Sequence, residues 1–152
     1  MRILTLGAAL LAAACLATGA AAQDGGVTTY QVEADFEDVT FGLETAIVSR
    51  GLVIDHVSHV GEMLNRTAAY VGATVQVYAQ ANVFLFCSAV LSRKMMEVDA
   101  DNLAHCPYGV FAYELADAPE TVHVGYRHLP AGPMQEVQAF LDSVAKEAAG
   151  IE

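Results

Sequence analysis

Between residues 35 and 51 the apolar positions Phe36, Val39, Leu43 and Ile47 recur at steps of three and four. That period marks one face of a helix, with Asp35 as its N-cap and Gly51 just past its end. Asp38 adds negative charge to the first turn, where the helix dipole favours it. The preceding TTYQVEA, 28–34, has the composition of a short strand. GLVIDHV, 51–57, alternates and is rich in β-branched residues, so it predicts a second strand.

Ser58 can cap a second helix, with Met63, Thr67 and Val71 along one side and Leu64 and Ala68 beside them. Gly61 weakens its start and Gly72 closes it. TVQVYAQAN, 74–82, alternates weakly and fits strand or loop, whereas VFLFC, 83–87, suits a short buried strand. AVLSRKMMEVD follows as a helix carrying Leu91, Met95 and Val98. Pro107 precedes the strand YGVFAYEL, and five turn residues, ADAPE, lead into TVHVGYRH, which predicts an antiparallel hairpin. Pro133 opens a last helix whose Met134, Val137, Leu141, Val144 and Ala148 form one stripe. The order is β-α-β-α-β-α-β-β-α, without internal repeat or linker. Interleaved elements with a late hairpin predict a two-layer α+β domain, a mixed or antiparallel sheet with helices packed on one face.

The first 22 residues follow a different pattern. Arg2 supplies a positive start, residues 3–18 are almost wholly apolar, and Ala20-Ala21-Ala22 offers a small-residue cleavage site. This predicts a signal peptide over 1–22 and a single domain over 23–152, periplasmic or secreted. The run is short for a span of about 20 apolar residues, so no membrane span is expected in the mature chain. Lipid attachment at Cys15 is the alternative, although Ala12 stands where a bacterial lipobox usually has Leu.

Charge narrows the partners. The formal charge is −11, and loss of Arg2 with the signal makes it −12. Nucleic acid and anionic membranes would repel such a chain. Two cysteines remain after cleavage, Cys87 and Cys106, and an oxidising compartment favours their pairing. A helix over 89–98 would carry the chain about 15 Å from Cys87. The stretch from Asp99 to His105 can retrace that distance at about 3.3 Å per residue. A disulfide is therefore feasible but not forced.

From DFEDVTFGLETAIVSRGLVIDHVSHVGEML to FCSAVLSRKMM, DNLAHCPYGVFAYEL and TVHVGYR, the chain resembles the bacterial family called domain of unknown function 302. Helix-GLVID, a Met-containing helix, the CPY strand start and a final G-Y-R strand carry the likeness. Other members often have a Gly-Asn-Pro turn where Phe86-Cys87-Ser88 stands here, so this chain resembles a cysteine-bearing, exported variant. The resemblance implies a compact α+β domain and a homodimer, and it supplies no catalytic residues.

The candidate chemistry centres on two histidines, His56 and His59, with Met63 four beyond the second. On one strand, residues three apart face opposite ways; on a helix they share a face, and His59 and Met63 align. A strand ending near Val57 and a helix starting near Ser58 would put His59 in the first helical turn. His59, Met63 and His56 are thus candidate cofactor ligands, and His59, Cys87, Cys106 and His105 a candidate metal set. Without C-x-x-C-H or a paired C-x-x-C, covalent haem and a zinc ribbon are not expected, which leaves noncovalent haem or copper. Packing and capping roles explain the same residues without a ligand. Cys87 before Ser88 at a strand-to-helix junction could hold an activated thiol, but sequence ties no base to it. Asp99 and Asp101 fit a solvated loop. His123 and Arg127 share one face of the last strand, predicted to be solvent or a small anion site.

The expectation is a non-enzymatic, exported homodimer that binds haem or a soft metal through His59. Its rivals are a thiol-disulfide redox protein using Cys87 and Cys106 and a cofactor-free dimeric interaction module. A redox or cofactor-delivery partner would suit the first two.

Overall fold

The structure, a computed structural model, describes residues 26–151. The expected signal peptide and Cys15 lie outside the described residues. Five strands and four helices follow in the predicted order: β1 (Val27–Val32), α1 (Phe36–Val48), β2 (Ile54–Ser58), α2 (Val60–Val71), β3 (Tyr78–Phe86), α3 (Ala89–Val98), β4 (Tyr108–Leu115), β5 (Ala118–Arg127) and α4 (Gln135–Ala148). A short 3-10 helix, Ala100–His105, links α3 to β4.

The sheet order is β1-β5-β4-β3-β2, and every neighbouring pair is antiparallel. Of the two sheet types predicted, the antiparallel one is present. Helix α1 carries the chain from one edge strand to the other beneath the sheet, so β1 and β2 never meet. The core lies between this face and helices α1 and α4. Phe36, Val39, Leu43 and Ile47 of α1 and Val137, Leu141 and Val144 of α4 are buried, the stripes that the spacing predicts. They meet Phe84, Phe86, Tyr108, Val110, Ala112, Val122, Val124 and Tyr126 from the sheet. Leu43 and Ile47 are wholly buried, and cutting such a side chain to alanine costs about 2–5 kcal/mol.

Several boundaries differ from the sequence reading for local reasons. Residues 78–86 form one strand, because Tyr78 to Phe86 pair with β4 along their whole length, apart from a bulge near Tyr78. The five turn residues shrink to Ala116 and Asp117, since Leu115 already pairs with Ala118. Ser58 does not cap α2 but ends β2, paired with Val83, and His59 takes the N-cap position without a side-chain capping bond.

That pairing leaves the edge of β3 before Val83 without a strand partner, and α2 fills the place. Gly61 is the one buried residue of α2. A Cβ there would come within 2.6 Å of the Ala81 amide nitrogen, so the helix backbone rests directly on the strand. The glycine that weakens the helix on propensity is the residue that lets it dock.

Candidate functional site

Docking α2 on the β3 edge sets its polar side chains opposite the start of α1. A cleft of about 600 Å³ opens between them, floored by Phe36 and by residues 79–82 of β3. His59, Glu62, Asn65 and Arg66 enter it from α2, and Glu37 and Thr40 from α1. Met63, Leu64, Tyr70 and Val71 of α2 are exposed, and Leu64, Ala68 and Val71 line a second groove with Val75 and Val77. No apolar side chain of α2 is fully buried, so the helix touches the sheet through Gly61 rather than through an apolar stripe.

Inside the cleft the amides are tied to neighbouring side chains while the charged groups are exposed. His59 Nδ1 lies 3.0 Å from Asn82 Oδ1. A carboxamide oxygen only accepts, so in the neutral ring Nδ1 holds the proton and Nε2 keeps its lone pair. Gln80 donates across the strand to the buried carboxylate of Glu114 at 3.4 Å. Glu62 and Arg66 stand four apart in the orientation that favours an ion pair on a helix. The pairs Arg93–Glu97 and Asp142–Lys146 do form at that spacing, at 3.9 and 2.9 Å, but Glu62 and Arg66 take part in no ion pair among the described residues.

The predicted ligand sets are not assembled. His56 is exposed on β2, His59 is exposed at the cleft rim, and Met63 points to the outer side of α2 at 42% exposure. Neither the His56 nor the His59 ring is enclosed in the greasy hollow that haem requires. Cys87 and Cys106 meet each other instead of His59 or His105: they form a disulfide with Cα atoms 6.4 Å apart. Among the described residues, no three His, Cys, Asp or Glu side chains gather into a set able to hold a metal ion. The cysteines meet because Phe86 pairs with Tyr108, which brings the end of β3 beside the start of β4. Ser92 Oγ sits 3.7 Å from Cys106 Sγ and 3.3 Å from the Tyr108 hydroxyl, and Ser88 caps α3 through the Leu91 amide.

The face of the sheet away from the helices corrects another expectation. His123 is not in solvent. It is 9% exposed and stacks on Tyr113, ring centroids 4.6 Å apart and planes 3° from parallel. Burial pushes the Tyr113 phenol above its ordinary pKa, and the neighbouring Tyr78 adds to the shift. Phe111 also stacks on Tyr113, ring centroids 6.0 Å apart, and lies over Gly125, where a Cβ would come 2.8 Å from its ring. Val83 and Leu85 extend this half-buried apolar surface across β3. The alternation of β3, β4 and β5 brings no carboxylate onto it. His105 and Pro107, beside the disulfide, line a depression at its border with Leu85, Phe111 and Arg127.

Sequence reasoning missed the cleft and the outer face. For the cleft, a usable signal existed in Glu62 and Arg66, a charged pair on a helix already predicted. For the outer face, the signal was the second apolar set in β4, where Phe111 and Tyr113 interleave with Val110 and Ala112.

No protein-family model matches the chain, and no curated protein matches it in sequence. Among the described residues no helix is long and apolar enough to cross a membrane. In three dimensions it is similar to an uncharacterized conserved DUF302 protein from Bacillus stearothermophilus. The TM-score is 0.55 at 14% identity, over 82% of this chain and 88% of that one. The fold is therefore that of a domain of unknown function 302 protein, the family its sequence resembles.

Proposed function

We propose that the chain is an exported binding domain, periplasmic or secreted, that works as a homodimer joined through the outer face of its sheet. One observation carries this reading. An antiparallel sheet with helices on one side ordinarily turns polar residues to water on the other, yet here Val83, Leu85, Phe111 and Tyr113 occupy that side. A second copy is the occupant the charge pattern favours. Each chain is strongly acidic, and this face is where two copies can approach without bringing carboxylates together. The disulfide supports export, since such bonds persist in oxidising compartments.

Haem or a soft metal at His59 has less support, because the ring is exposed and, among the described residues, no three His, Cys, Asp or Glu side chains gather to hold a metal ion. Redox cycling of Cys87 and Cys106 is the second reading, supported by the bond itself. A structural staple fits better, because the bridge closes the base of the α3 excursion and borders the proposed interface.

Sedimentation of the purified chain tests the dimer. The expected result is twice the monomer mass, with Phe111→Glu returning a folded monomer because a buried carboxylate would be left unpaired. A wild-type monomer at micromolar concentration would end the proposal.

A further inference from the structure

We propose that the cleft between α1, α2 and β3 binds a small zwitterion of the α-amino-acid type, held at its carboxylate by Arg66 and Asn82 and at its ammonium by Glu62 and Glu37. This site is separate from the sheet face and does not depend on the dimer. Three features of the molecule converge on it.

The first is the seating of α2. A helix that buries only Gly61 lies close on the β3 edge, and the cleft it forms with α1 is lined from its side by the charged and polar side chains Glu62, Asn65 and Arg66. The volume, about 600 Å³, falls within the range of about 300–1,000 Å³ typical of small-molecule sites. The second is the separated charge. Glu62 and Arg66 have the spacing for mutual pairing and stay apart, so one cleft presents an unpaired guanidinium and unpaired carboxylates together. A simple anion would satisfy only the first, and a simple amine only the second. A zwitterion answers both, with the planar guanidinium suited to a carboxylate.

The third feature is the anchoring of the amides. His59 fixes the Asn82 oxygen, so the Asn82 NH2 group remains available as a donor. Glu114 holds the Gln80 amide from below, which leaves the Gln80 carbonyl as an acceptor. These held groups cost a ligand little to order. Phe36, buried at the cleft floor, gives an apolar surface for the ligand's carbon atoms.

The test uses the intact chain and nuclear magnetic resonance titration with glycine, L-alanine and L-glutamine. Acetate, ethylammonium and glucose serve as singly charged and uncharged probes. The expected result is saturable shifts of the backbone amides over residues 62–66 and 80–82 with at least one amino acid, and much weaker binding of the three control probes. Arg66→Ala and Glu62→Gln should each weaken binding about tenfold or more, the scale of one charge-assisted hydrogen bond. Thermal unfolding of both variants should match the parent, which separates lost binding from lost folding. Absence of saturation with every amino acid overturns the proposal. So does equal binding of acetate, ethylammonium or glucose, or unchanged affinity in both folded variants.

Discussion

Tyr30 on β1 and Tyr126 on β5 both donate to Asp142 Oδ1 on α4, at 2.5 and 2.8 Å, while Lys146 pairs with Oδ2 at 2.9 Å. One carboxylate thus fastens the last helix to two neighbouring strands. Burial alone would raise the Asp142 pKa, but the bonds from Tyr30, Lys146 and Tyr126 and the lysine charge overcome it and hold it below the ordinary value. Tyr30 moves the other way: burial, the bond to Asp142 and that group's charge push it up to about 12. The two shifts set opposite pH limits. A raised phenol contributes stability below its unfolded value of 10.0, and this is lost as pH rises through about 12. A depressed carboxyl contributes above its unfolded value of 3.8, and this is lost as pH falls through its folded value. Tyr30→Phe should therefore lower stability near neutrality by about 1 kcal/mol and flatten both the alkaline and the acid decline. Thermal unfolding across pH measures this; parallel curves for parent and variant would show that Tyr30 is only packed there.

Among the elements, α3 and the following 3-10 helix form an excursion between β3 and β4. Met95 is buried, Asn102 donates to its carbonyl, and Lys94 reaches Glu136 at the start of α4. Ser92 meets the Tyr108 hydroxyl at 3.3 Å, and the covalent tie is Cys87–Cys106, separated by 19 residues in sequence. Closing a loop of that size stabilises a fold by about 3 kcal/mol in the chain-entropy model. Replacing both cysteines by serine should cost about that much, and hydrogen exchange should quicken first in residues 89–105. Unchanged protection there would mean that packing alone holds the segment. The same contrast between local and long-range information explains what could be read in advance. Helices α1 and α4 were legible because each carries a continuous apolar stripe that is buried as spaced, and β4 and β5 because a hairpin is a local event. The proposed ligand residues are not brought together because sheet register decides neighbours, and it gave Cys87 to Cys106. The cleft was hidden for a related reason. Gln80 and Asn82 sit in a stretch with weak alternation, and only the pairing of β3 with β4 turns them toward α2 and Glu114. Gly61 was misjudged because helix propensity measures a lone helix, whereas its effect here lies in the backbone contact with Ala81.

At the scale of the whole molecule, the proposed dimer has to reconcile an apolar face with a formal charge of −11 on each copy. The two terms respond differently to salt, so their balance can be measured. Long-range repulsion between the acidic bodies is strong when the Debye length is about 30 Å, at 0.01 M salt, and largely screened at about 10 Å, at 0.1 M. The apolar contacts of Val83, Leu85, Phe111 and Tyr113 lose nothing to screening, because no carboxylate from β3, β4 or β5 lies on that face to form an ion pair across the interface. Association should therefore tighten as salt rises, on the order of tenfold or more between those two concentrations. An interface built on ion pairs behaves in the opposite way, since screening removes its attraction. Sedimentation equilibrium at the two salt concentrations distinguishes these cases. A dimer that weakens with salt would place the contact on a charged surface, and the apolar outer face of the sheet would then need another partner.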